Sequence, residues 1–364
     1  MGVRSSSNYI EYSCVLLPSR AALATHFRPH LEAIESTMTT PFPLPPAPPV
    51  VESILDLVGE TPLVRLTRVV PEGCAAIWGK AEQLNPGASV KDRIGAAMLE
   101  AAEREGKLAP GGTVIEPTSG NTGLAIAMAC AVKGYRCILT MPESMSLERR
   151  ALLKSYGAKL VLTPAEEQMA GAVAKAEELV QNTPGAFMPR QFANPANPAV
   201  HERTTGPEIL RAMGEDSIAA FVAGIGTAGT IVGVGRFLKR AAAERGEASP
   251  LVVGVEPEGS RTIAKGERGP SKIQGIAAGF VPANYDASVV DRLVAVSDTE
   301  AWAMRDRLAK EEGLLVGISA GANVAAAVKL GLELGPAAHV VTILCDTGER
   351  YFSLAAHFAE AEAR

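Results

Sequence analysis

From Thr113 onward, short apolar runs alternate with stretches of helical periodicity. Thr113 to Glu116, Arg136 to Met141 and Lys159 to Thr163 are predicted strands, separated by helices over Gly123 to Lys133, Ser146 to Tyr156 and then about Ala165 to Gln181. The pattern repeats later, with strands at Phe221 to Ala223, Leu251 to Val255 and Val340 to Leu344 and helices near Ala228 to Arg245, Thr299 to Glu312 and Ala320 to Leu332. Alternation of this kind predicts parallel strands with helical crossovers, and hence an α/β protein of two doubly wound α/β/α lobes. Ligands in such folds bind beyond the carboxyl ends of the strands.

The first 50 residues break this pattern. They carry no sustained periodicity and end in the proline-rich run Pro41 to Pro49, so residues 1–50 are expected to be a disordered extension, with Met38 a candidate start. Glu11, Glu32 and Glu35 balance Arg4, Arg20 and Arg28, which weakens organellar targeting by residues 1–37 against a cytoplasmic location. At 364 residues, the chain suits two domains around a shared cleft. A net charge of −5 disfavours nucleic acid and anionic lipid as partners and points to small molecules. Cys14, Cys74, Cys130, Cys137 and Cys345 are odd in number and scattered, which implies a reducing compartment and no metal site. No apolar run approaches the roughly 18 residues that span a bilayer.

Three segments carry chemistry. Asn85-Pro86-Gly87-Ala88-Ser89-Val90-Lys91-Asp92-Arg93 reads as a turn, with Ser89 as N-cap and Lys91 in the first helical turn. A helix start disfavours a cation, which suits an amine nucleophile that must be uncharged to form a Schiff base, although a solvated surface lysine fits as well. Glu116-Pro117-Thr118-Ser119-Gly120-Asn121-Thr122-Gly123 ends a strand and opens a helix with hydroxyls and free N–H groups, suiting a carboxylate or phosphate or simply a polar turn. Gly224-Ile225-Gly226-Thr227-Ala228-Gly229-Thr230 has the composition of a phosphate cradle. Read through Gly224, Gly226 and Gly229, with Glu256 on the next strand as ribose ligand, it also fits an NAD-dependent dehydrogenase.

Together the three segments resemble the cysteine synthase (O-acetylserine sulfhydrylase) family of fold-type II pyridoxal 5'-phosphate (PLP) enzymes. Met141 to Arg150, Gln191 to Pro198, Thr204 to Ile209, Lys272 to Ile276 and Gly317 to Ala322 extend the resemblance from about Ser53 to about Tyr351. It implies a tryptophan synthase β-like fold with PLP between the lobes. Residues 51–84 with 195–355 would form the larger lobe, 85–194 a smaller mobile one, and 356–364 a tail.

The resemblance also assigns roles. Lys91 would be the Schiff-base lysine and Asn121 the amide on the cofactor's phenolic oxygen. Gly226, Thr227, Ala228, Gly229 and Thr230 would hold the phosphate, and Ser319 would face the pyridine nitrogen. A hydroxyl does not keep that nitrogen protonated, so the ring is a weaker electron sink, as β-replacement requires. Thr118, Ser119, Gly120, Thr122, Gln191 and Gly275 would bind substrate. The implied reaction converts O-acetyl-L-serine and sulfide to L-cysteine and acetate through an aminoacrylate intermediate, with Lys91 as anchor, base and acid. Cystathionine β-synthase and diaminopropionate-type synthases share nearly every motif. A homodimer, and serine acetyltransferase as a partner, are further implications.

Two positions depart from the family pattern. Ala228 stands where glycine is usual, at a cost on the order of 1 kcal/mol if its φ is positive. Ala277 also replaces a common glycine, near the substrate pocket. Elsewhere His201 is expected on the surface and Cys130 in the core, and Cys345, before the closing motif Asp346 to Tyr351, is given no chemistry.

Overall fold

The structure, a computed structural model, describes residues 50–354 except 119 and 277. The extension, the C-terminal tail, Ser119 and Ala277 lie outside the described residues. Among the described residues, ten strands form two sheets: β1 (Leu63–Leu66), β2 (Ala76–Ala81), β3 (Thr113–Pro117), β4 (Arg136–Pro142), β5 (Lys159–Thr163), β6 (Ala186–Phe187), β7 (Ala220–Gly224), β8 (Leu251–Pro257), β9 (Arg292–Val296) and β10 (His339–Leu344). One sheet has the order β1-β2-β10-β7-β8-β9 and the other β5-β4-β3-β6. All pairings are parallel except β1 with β2 at the edge.

Period-two alternation explains why the larger sheet is covered on both faces. Ala220, Val222, Val253 and Val255 pack into one apolar cluster, while their neighbours Phe221, Ala223 and Val252 enter a second cluster on the opposite face. A third cluster, with Val114, Leu139, Ile126 and Met98, fills the smaller sheet's side. Among the described residues, no helix is long and apolar enough to cross a membrane.

The helices used below are α1 (Lys91–Arg104), α2 (Asn121–Lys133), α3 (Leu147–Ser155), α4 (Gln168–Gln181), α5 (Ala196–Val200), α6 (Gly206–Met213), α7 (Gly229–Arg245), α8 (Thr262–Lys265), α9 (Asp298–Glu312) and α10 (Ile318–Leu334). Local sequence sets their ends. Ser297 and Glu300 form a reciprocal capping box ahead of α9, and Gly134, at φ +74°, ends α2 in the left-handed conformation. The helix expected from Ala165 opens instead as a tight turn, with Gln168 at φ +50° where α4 begins. Strands β1, β2, β6 and β9 were not anticipated; their short or mixed runs give no clear period.

Candidate active site

Strand order fixes where the site must be. In the larger sheet the chain winds from β7 to β8 to β9, then returns to lay β10 on the other side of β7. In the smaller sheet it runs from β3 to β4 to β5 and returns to place β6 beside β3. Each reversal leaves a crevice at adjacent carboxyl ends, where no crossover helix covers the sheet. Both crevices open into one cleft of about 700 Å³, walled by Lys91, Thr118, Gln191, Thr227, Ser319 and Asp346 among others. Every described residue assigned from the sequence lines this cleft.

Lys91 begins α1, and its N–H donates to Ser89 Oγ at 3.2 Å. The capping position itself falls on Val90, one residue later than expected. The turn before it is pinned from several sides. Asp92 accepts from the Gly87 N–H at 2.6 Å, Val90 N–H donates to the Cys345 carbonyl at 2.8 Å, and Arg350 donates to the Gly87 carbonyl. Two residues on, Arg93 is gripped by two carboxylates: it meets Glu82 and Glu208 at 2.7 Å each, and Lys80 meets Glu208 at 2.7 Å. All four side chains are buried. Burial opposes ionisation of Glu208 and Glu82, but Arg93 outweighs it and holds both carboxyls low. Removing one partner would strand a buried charge, so the network fixes the start of α1.

The loop after β7 is a tight anion cradle. A Cβ at Gly226 would collide with the Gly275 carbonyl, and one at Gly229 with the Asn197 amide oxygen. Ala228 adopts φ +64°, the left-handed conformation whose cost the sequence anticipates. The N–H groups of Gly226 to Thr230 take no protein acceptor among the described residues, and they lie at the start of the 17-residue α7. Asn197 donates to Thr227 Oγ1 at 2.9 Å and to the Gln191 carbonyl at 2.8 Å, tying the loop to the smaller sheet's crevice.

The loop after β3 is looser. Gly120 has open space around its Cβ position. Thr122 Oγ1 donates to Gln191 Oε1 at 2.6 Å, joining two of the residues assigned to substrate. Beneath them Glu116 accepts the Arg190 and Gln191 N–H groups at 2.9 and 3.2 Å. Burial pushes the Glu116 carboxyl up to about 7 despite these bonds.

At the far wall, Ser319 is buried at the second position of α10, facing Gly275, whose φ is +98°. Asn121 donates to Asp346 at 2.6 Å and accepts from Arg350, and Tyr351 donates its hydroxyl to the same carboxylate. Burial raises the Asp346 carboxyl, a shift that the bonds from Tyr351 and Asn121 only partly counter. Cys345, Asp346 and Tyr351 all reach the cleft, so the closing motif is part of the site wall. Its strand-end position was the available signal.

Two expectations are corrected. His201 is 1% exposed, not on the surface: the π-turn His201–Thr205 directs its ring inward, where Nε2 lies 3.2 Å from Thr230 Oγ1. Glu256 accepts the Ile263 and Ala264 N–H groups at 2.7 and 3.0 Å, capping the short helix α8, which occupies the carboxylate that a dinucleotide ribose would need. Cys130 is buried in the core as expected.

Residues 54–346 match the family described as pyridoxal-phosphate dependent enzyme. The chain is similar to a cysteine synthase of Staphylococcus aureus (strain N315), at 51% identity over 303 residues, 83% of this chain and 96% of that protein. Among solved structures it resembles an O-ureido-L-serine synthase, with TM-score 0.79 and 44% identity over 84% of this chain and 94% of that one. A cysteine synthase of Entamoeba histolytica gives TM-score 0.80 and 36% identity over 85% and 91% of the two chains.

Proposed function

The chain belongs to the family of pyridoxal-phosphate dependent enzymes, and on that footing we propose that Lys91 carries the cofactor while the acetate of O-acetyl-L-serine is exchanged for sulfide. The cofactor is pyridoxal 5'-phosphate and the activity is that of cysteine synthesis by β-replacement.

The residues present fit the group. Five clustered N–H groups at the start of α7 suit a phosphate dianion, and a Cβ at Gly226 or Gly229 would fill the cradle. Asn121 and Ser319 stand on opposite elements of the same wall, at the starts of α2 and α10, where they would hold the ring. When bound, the cofactor supplies an electron sink that labilises the α-proton and the β-substituent.

The remaining work falls to the chain. Thr118, Ser119, Gly120, Thr122 and Gln191 bind the amino-acid carboxylate, with Gly275 close by. Lys91 would anchor the cofactor, and its Nζ would take the substrate's α-proton and later return it, so that one amine would serve as anchor, base and acid. Residues 85–194, the lobe of the smaller sheet, close over the substrate and exclude water, while 51–84 with 195–355 hold the phosphate. The observation that carries this reading is the convergence of Lys91, the cradle and the Thr118 to Thr122 loop on one cleft.

The proposal extends to assembly and location. Leu152 and Phe352, both exposed, line a second cleft beside Leu124 and suit contact with a second copy in a homodimer. A serine acetyltransferase is the protein partner, and a reducing cytoplasm matches the free thiols of Cys74, Cys130, Cys137 and Cys345. Product analysis tests the core of the reading: O-acetylserine with sulfide should give cysteine and acetate in equal amounts. Turnover with homocysteine but not with sulfide would move the assignment to a cystathionine-forming enzyme.

A further inference from the structure

His201 is buried beside the cradle without a role in the chemistry above. Its Nδ1 lies 2.9 Å from Thr205 Oγ1 and its Nε2 3.2 Å from Thr230 Oγ1, and Thr230 in turn lines the cleft. Two glycines allow this approach. A Cβ at Gly233 of α7 would sit 2.7 Å from His201 Cβ, and one at Gly206 would sit 2.8 Å from Phe237 Cβ, so α7 and the π-turn press together only because both side chains are missing. On the other side Arg93 donates to Thr204 Oγ1 at 3.2 Å, anchoring the π-turn to the buried charge network. π-turns of this kind recur at functional sites.

The two hydrogen bonds leave a choice of tautomer. Burial, with Arg93 and Lys91 nearby and only partly offset by Glu82 and Glu208, pulls the imidazole down to about 3, so it is neutral near pH 7. A neutral ring has one donor and one acceptor. Were Nε2 the acceptor, the Thr230 hydroxyl proton would point at the ring and only oxygen lone pairs would face an anion in the cradle. With Nε2–H as donor, Nδ1 accepts from Thr205 and the Thr230 proton is free to turn into the cleft.

We propose that His201 is a positioning residue which, as its Nε2–H tautomer, donates to Thr230 so that the Thr230 hydroxyl in turn donates to the cofactor phosphate. The proposal rests on the cradle's reading as the phosphate site. It separates His201 from a merely structural histidine, because its effect must depend on the phosphate.

The test compares the affinity of the cofactor-stripped full chain for pyridoxal phosphate and for pyridoxal, which lacks the phosphate. His201→Asn, whose amide reaches only the Nδ1 position, should weaken pyridoxal phosphate roughly tenfold and pyridoxal less than about twofold. His201→Gln, whose amide nitrogen reaches the Nε2 position, should stay within about threefold for both. Equal losses for the two ligands would overturn the proposal. Thr230→Val separates the layers: if it weakens pyridoxal phosphate selectively while His201→Asn does not, only the His201 proposal falls, whereas if neither acts the cradle's phosphate reading falls with it. Should His201→Asn fail to fold, nitrogen-15 NMR of the histidine-labelled wild-type holoprotein decides, Nε2–H supporting the proposal and Nδ1–H overturning it.

Discussion

The two strand-end loops that meet in the cleft are built to opposite standards of rigidity. The one after β7 has no spare room: Gly226 abuts the Gly275 carbonyl, Gly229 abuts Asn197, and Ala228 is held at φ +64°. The one after β3 has open space at Gly120, and its side-chain ties run chiefly through Thr122 to Gln191 and Asn121 to Asp346. A group bound through every turnover calls for a preformed cradle, while a substrate that enters and leaves calls for a loop that can move onto it. The difference in packing is the one that the roles proposed for the two loops require.

Substitutions can break or sharpen that contrast. The largest effect is expected at Lys91, which stands between the loops: Lys91→Ala should lower kcat by about a thousandfold or more, with folding intact by circular dichroism. Next comes the paired glycine test. Gly226→Ala should weaken cofactor affinity by roughly ten- to a hundredfold through overpacking against backbone, whereas Gly120→Ala should leave it within about threefold, both measured by cofactor titration. Comparable losses at both positions would erase the distinction.

Gln191→Ala should raise KM for O-acetylserine about tenfold while cofactor affinity stays unchanged, placing the Thr122–Gln191 pair on the substrate side. Glu116 beneath that loop gives a pH signature. Its folded pKa of about 7 lies above the unfolded value near 4.5, so between these the folded protein keeps a proton that the unfolded chain has lost. That contribution to stability is full below about pH 4.5 and is lost as pH rises through about 7, so Glu116→Gln should flatten the decline by about 1–3 kcal/mol in urea unfolding at pH 5 and 8. The smallest effect is expected for Ala228→Gly. Relief of about 1 kcal/mol of left-handed strain is offset by the lost methyl burial and by glycine's freer unfolded chain, leaving cofactor affinity within about threefold.

Much of this architecture was legible along the chain, and the reasons differ by element. Strands such as β3, β4 and β7 are buried on both faces between capped helices, so apolar runs and helical periods marked them to within a residue or two. The edge strand β1, with only four residues and one exposed arginine, offered no such run. The Lys91 turn and the cradle drew notice because glycines, hydroxyls and helix starts cluster at strand ends, whereas Asn121 and Ser319 were singled out by the family resemblance; the structure brings all of them to one cleft. His201 was misjudged because its burial depends on a π-turn, which shifts the helical phase, and on the missing side chain of Gly233 in α7, 32 residues away. The Asp346 contacts with Asn121 and Tyr351 were equally hidden, since one of them joins positions 225 residues apart.

The most direct test of the central claim is the absorption spectrum of the purified protein before and after O-acetylserine, with Lys91→Ala alongside. The account predicts visible cofactor absorbance in the wild type that shifts when O-acetylserine is added, and no such shift in Lys91→Ala. A wild type without visible absorbance, or a Lys91→Ala variant that shifts as the wild type does, would contradict it.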